Sequence, residues 1–154
     1  MTRVLVAGVG NVFFNDDGFG VEVVRRLAHR DLPSNTVVTD YGIRGVHLAF
    51  DLLDTPKLLV LVDTIARGRS PGTLYLVDPD LASASSGAQD AHAMDPRAVF
   101  AALREMGGTL PRTRIVACEP ADVGEGMMLS DPVRQAIEPA IAMIQQLLAR
   151  EGAP

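Results

Sequence analysis

Five short apolar runs, rich in β-branched residues and separated by helical patterns, limit this chain to few architectures. They are RVLVAGV (3–9), TVVTDYG (36–42), KLLVLVDT (57–64), TLYLVDP (73–79) and RIVACEP (114–120). None alternates cleanly between apolar and polar, as expected of strands covered on both faces. After Asp17, residues Val21, Val24, Leu27 and Ala28 recur on one helical face, with Glu22, Arg25, Arg26 and His29 on the other. Leu48, Ala49, Leu52 and Leu53 repeat the pattern after Gly45. The stretch DPRAVFAALREMGG offers Asp95 as N-cap, Pro96 at the first helical position and Gly107 or Gly108 as a stop. The last helix starts at SDPV, with a stripe of Val133, Ile137, Ile141, Ile144 and Leu148, and Pro139 should bend it. The order β-α-β-α-β-β-α-β-α predicts an α/β fold: a three-layer sandwich with a mostly parallel mixed sheet of about five strands flanked by helices. Runs 57–64 and 73–79 have no helix between them, so they are candidates for antiparallel neighbours. Residues 1–154 are expected to form a single domain. The small, polar segment LASASSGAQDAHAMD (81–95) reads as a mobile loop, with His92 near its end.

Charge and cysteine usage remove several classes of function. The formal charge is 14 − 19 = −5 with no basic cluster, which argues against a nucleic-acid partner. The N-terminal MTRVLVAGVGN holds only a short apolar run, so neither a signal peptide nor a membrane span is expected. A lone cysteine, Cys118, leaves no internal disulfide and no cysteine-built zinc site. The expectation is a cytoplasmic protein without a membrane partner.

The stretch GVGNVFFNDDGFG (8–20) carries glycines like those of a dinucleotide-binding turn, but Phe13 stands where the third glycine belongs. Asp16 and Asp17 also sit where a pyrophosphate would meet repulsion. No P-loop, His-Glu-x-x-His or Gly-x-Ser-x-Gly pattern is present. What remains is polar residues at strand ends. Asp17 follows the first strand, Asp63 ends the third, and His92 precedes the third helix. In open α/β sheets such positions converge beyond the carboxyl ends of the strands. Two carboxylates and an imidazole would make an open metal site of mixed oxygen and nitrogen donors. The residues alone also allow plainer roles: Asp17 as a helix cap, Asp63 holding a turn amide, His92 solvated in its loop, and Met94, Met127 and Met128 as gap-fillers or surface residues.

Four segments resemble the hydrogenase maturation endopeptidases, which process the large subunit of nickel–iron hydrogenases. They are GVGNVFFNDDGFG, DYGIRGVHLAFDLL, LLVLVDTIARGRSPGTLYLVDPD and DAHAMDP, and the tail SDPVRQAIEPAI is similar too. The resemblance places the family's three metal-contacting positions on Asp17, Asp63 and His92, with Asp16 ranked second to Asp17. Thr64 departs from the family's usual alanine, and no role transfers to Arg44 or His47. It implies an endopeptidase, expected to act as a monomer, that removes the C-terminal extension from the nickel-loaded precursor. Nickel would be carried by the substrate, with no resident metal expected. The rival readings are a non-catalytic nickel-sensing chaperone, and a nucleosidase- or phosphorylase-like hydrolase.

Overall fold

The computed structural model describes residues 3–79 and 95–153. His92 and the expected loop, apart from Asp95, lie outside the described residues. The strands are β1 (Val4–Val9), β2 (Thr36–Gly42), β3 (Leu58–Thr64), β4 (Leu74–Val77) and β5 (Thr113–Cys118). The helices are α1 (Phe19–Leu27), α2 (Gly45–Asp51), α3 (Pro96–Glu105), α4 (Asp131–Gln135) and α5 (Ile137–Glu151). A 3₁₀ turn over Asn15–Gly18 leads into α1.

The sheet order is β2-β1-β3-β5-β4, with β4 alone antiparallel. Both faces are covered. Val4 and Val6 of β1 and Val60 and Val62 of β3 pack with α1 and α5. Leu5, Ala7, Leu59 and Leu61 pack with α2 and α3 on the opposite face. Burial on both sides explains why these strands read as continuous apolar runs. The stripe predicted for the last helix is buried throughout. On α1, Ala28 is exposed and Val23 is buried instead.

Two expectations are corrected. β3 and β4 are not neighbours, because β5 lies between them. The connection from Ile65 to Thr73 passes over the end of β5, where Ile65 donates to the Cys118 carbonyl and Gly72 to the Glu119 carbonyl. A link of that length need not close a hairpin, and here it carries the chain past one strand. The last helix is interrupted at Ala136 rather than at Pro139. A proline removes the hydrogen bond to the carbonyl four residues earlier, here Gln135, so the disruption falls on the N-terminal side.

Asp95 caps α3 as predicted, accepting from the Arg97 amide at 2.9 Å. Gly107, with φ +84, takes the chain out of that helix. Among the described residues, no helix is long and apolar enough to cross a membrane.

Candidate active site

The strand order reverses direction between β1 and β3. The chain leaves β1 for β2 on one side and returns to β3 on the other. At such a switch point the loops part beyond the carboxyl ends and leave a crevice. Asp17 follows β1, and Asp63 lies within β3 next to its last residue. They are therefore acidic side chains placed at this switch point, where such folds bind ligands.

The glycines of residues 8–20 serve packing. A side chain on Gly20 would lie 2.2 Å from the Val62 carbonyl oxygen, so its absence lets α1 start close against β3. Gly10 has φ +134, and a Cβ there would lie 2.0 Å from the Asp17 carbonyl oxygen. This tight return delivers Asp17 to the rim. Its Oδ2 accepts from the Asn11 amide at 2.7 Å and its Oδ1 from the Thr64 hydroxyl at 3.2 Å. It does not cap α1: the N-cap is Gly18, and no side chain caps that end.

Asp63 Oδ1 accepts from the Thr64 amide at 2.7 Å, so the expected turn-amide contact is made. Asp17 and Asp63 are 5% and 6% exposed, low values for acidic side chains. Burial pushes the Asp63 carboxyl well above the ordinary range, and the nearby Asp17 charge adds to this. The Thr64 amide opposes the shift, and the Asp95 charge at the start of α3 reinforces it. The structure thus brings Asp17 and Asp63 to one rim, through the two donors of Thr64. Among the described residues no group of three His, Cys, Asp or Glu side chains is placed to hold a metal ion.

Asp16 has a different job. It is fully buried and accepts from the amides of Ala121, Asp122 and Ser130 at 2.8, 3.0 and 2.7 Å. The Ser130 hydroxyl donates to it at 2.8 Å. It therefore ties the loop after β5 to the loop after β1. Asn15, in the left-handed region with φ 47, extends the tie by accepting from the Met128 amide at 3.1 Å. Asp16→Asn is expected to turn an amide N–H toward these donors and to cost about 2–4 kcal/mol. Urea denaturation checks this; an unchanged midpoint would contradict the structural role.

Other acids and polar residues settle around this frame. Glu119, which sequence reasoning did not single out, is buried just past β5. It accepts from the amides of Arg67, Gly68 and Arg69 and from the Tyr75 hydroxyl. Burial opposes its ionisation, but these donors outweigh burial and hold its pKa below the ordinary value. The one available signal was an acid at the carboxyl end of an apolar strand. Cys118 is core, its thiol pushed up to about 12 by burial first and Asp16 second. Arg44 folds back onto the carbonyls of Asp40 and Tyr41. The His47 side chain is 54% exposed, 3.5 Å from Asp51. Phe13, Met127 and Met128 are exposed on the two loops that Asn15 and Asp16 join.

Comparison with known proteins gives this rim its context. The hydrogenase maturation protease family model matches residues 21–147. The hydrogenase expression/formation protein HupD of Bradyrhizobium diazoefficiens is 34% identical, over 97% of this chain and 80% of its own. The delta subunit of the coenzyme F420 hydrogenase of Methanothermobacter thermautotrophicus is 32% identical, over 92% of each chain. Among solved structures, the hydrogenase maturating endopeptidase HybD from Escherichia coli superposes with a TM-score of 0.84 at 28% identity, over 97% of this chain and 94% of its own. With the matched model spanning most of its length, this chain belongs to the hydrogenase maturation protease family.

Proposed function

We propose that this protein cuts the C-terminal extension from the precursor of a nickel–iron hydrogenase large subunit, and that Asp17 and Asp63 recognise the nickel the precursor carries. The observation that carries the reading is the buried acidic pair at the β1/β3 crevice, bridged by Thr64. Asp63, buried at this rim near the charge of Asp17, resists ionisation. A cation presented between them reverses that sign. Recognition then depends on whether the client has been loaded, since an unloaded precursor leaves the repulsion uncompensated.

In this mechanism the nickel arrives on thiolates of the substrate, and Asp17, Asp63 and His92 supply the protein's side of its coordination. Within the substrate complex the cation offers Lewis-acid polarisation of the scissile carbonyl or acidification of a water. Asp17 and Asp63 orient the cation, and one of them is placed to take the proton of the attacking water. His92 is assigned from the sequence. Asp95, three residues further on, lies near enough to Asp63 to raise its pKa, which supports bringing that end of the segment to the site. The exposed Phe13, Met127 and Met128 beside the rim suit contact with the polypeptide of the client. We place the protein in the cytoplasm, acting as a monomer on its client, with residues 1–154 forming one peptidase domain.

Incubation with nickel-loaded and nickel-free precursor, read by intact mass spectrometry, tests the reading. Shortening of the loaded precursor alone is the expected result. Shortening of both removes nickel recognition. Binding without shortening would instead make the protein a chaperone.

A further inference from the structure

Thr64 is the last residue of β3, and its position fixes where its two donors point. It pairs in register with Cys118 of β5, and the Ile65 amide just after it bonds to the Cys118 carbonyl at 3.1 Å. Side chains alternate along a strand. Val60 and Val62 face α1, whereas Leu59 and Leu61 face α2 and α3. By the same alternation Thr64 points to the α1 side, where Asp17 sits in the turn leading into that helix, and Asp63 points to the other side. One residue therefore reaches both acids by different routes. Its backbone N–H donates to Asp63 Oδ1 at 2.7 Å, and its hydroxyl donates to Asp17 Oδ1 at 3.2 Å.

We propose that Thr64 is a positioning residue that holds the carboxylates of Asp17 and Asp63 in register for the nickel-bearing substrate. The inference rests on the reading of Asp17 and Asp63 as the nickel-facing pair. A carboxylate on two single bonds has several staggered rotamers open to it, and its repulsion from a neighbouring acid favours those that turn away. Asp17 is held against this at both oxygens, by the Asn11 amide on Oδ2 and the Thr64 hydroxyl on Oδ1. The backbone bond to Asp63 survives any substitution at position 64, but the hydroxyl bond does not. A β-branched side chain is also restricted in χ1, so the hydroxyl is presented in a fixed direction. Losing it removes one of the bonds that hold Asp17 in the productive geometry, and errors of about 1 Å at a reacting centre are costly.

Thr64→Val keeps the shape, the β-branching and the backbone N–H and removes only the hydroxyl. Thr64→Ser keeps the hydroxyl. Steady-state processing of nickel-loaded precursor is followed for the parent, both variants and Asp17→Asn, together with their melting temperatures. Thr64→Val is expected to lower kcat about tenfold with KM within about twofold of the parent and a melting temperature no more than a few degrees lower. Thr64→Ser is expected to recover kcat to within about threefold. The proposal is overturned if Thr64→Val turns over at the parental kcat. It is equally overturned if both variants lose activity alike, or only in step with a fallen melting temperature, because threonine is then a packing residue. An inactive Asp17→Asn beside a fully active Thr64→Val rejects the role of Thr64 alone. An active Asp17→Asn rejects the underlying reading and the inference with it.

Discussion

Asp17→Asn is expected to fold and melt close to the parent and to lose processing of nickel-loaded precursor by at least about 100-fold. The substitution removes a charge and almost no volume. The Asn side-chain oxygen can still accept from the Asn11 amide, which now bonds to Asp17 Oδ2 at 2.7 Å. Its NH₂ then faces the Thr64 hydroxyl, which reverses from donor to acceptor. Neither of these two donors is stranded, so the usual route to a large destabilisation is not opened by them. What changes is the field at the rim. A neutral amide neither balances a divalent cation nor takes a proton, so both tasks assigned to Asp17 fail together. Intact-mass analysis of the precursor over time is the measurement. Cleavage at the parental rate would remove Asp17 from the reaction and leave the acidic rim without its proposed purpose.

The neighbouring position gives the contrast. Asp16 and Asp17 stand side by side in the string NDDG and only the family resemblance ranks them, yet one is a structural tie and the other meets Thr64 at the end of β3. No periodicity separates them, because the 3₁₀ turn over Asn15–Gly18 and the left-handed Asn15 decide which way each points. Only the partner loop at residues 121–130, more than a hundred residues away, reveals the role of Asp16. The strands were legible because burial on both faces writes itself as continuous Val and Leu runs, as in LLVLV of β3. Their order was less so. The link IARGRSPG gives no sign that it crosses β5, since what holds it there is the Glu119 carboxylate gathering three successive amides. Asp63 was legible as an acid ending an apolar strand. Thr64, beside it, stands out in the sequence only as a departure from the family's usual alanine, because a hydroxyl pointing to the opposite face is visible only once α1 is in place.

Asp63→Asn is expected to make the protein more stable at neutral pH while abolishing processing. Burial first, and then the charge of Asp17, raise the Asp63 carboxyl well above its ordinary value. In that window the folded state binds a proton the unfolded state has released. Stability associated with Asp63 is therefore fully present below about pH 4, the usual carboxylate range, and is lost as pH rises through the raised folded value. Asn carries no such penalty and keeps the acceptor for the Thr64 amide, now 2.7 Å from Asp63 Oδ1. The variant should melt higher than the parent at pH 7, by about 2–4 °C for each kcal/mol relieved in a chain of this size. The gap should close toward pH 4. Glu119 titrates with the opposite sign, since its depressed folded value withdraws stability as pH falls, but it is common to both proteins and cancels in the difference. The same charge that weakens the free protein is the one a nickel-loaded client neutralises, so adding that client should raise the melting temperature of the parent more than that of the variant. An Asp63→Asn protein that melts at or below the parent at pH 7, with the same dependence on pH, would show that no strained charge is stored at this rim. The case for a cation-reading pair would then lose its electrostatic basis.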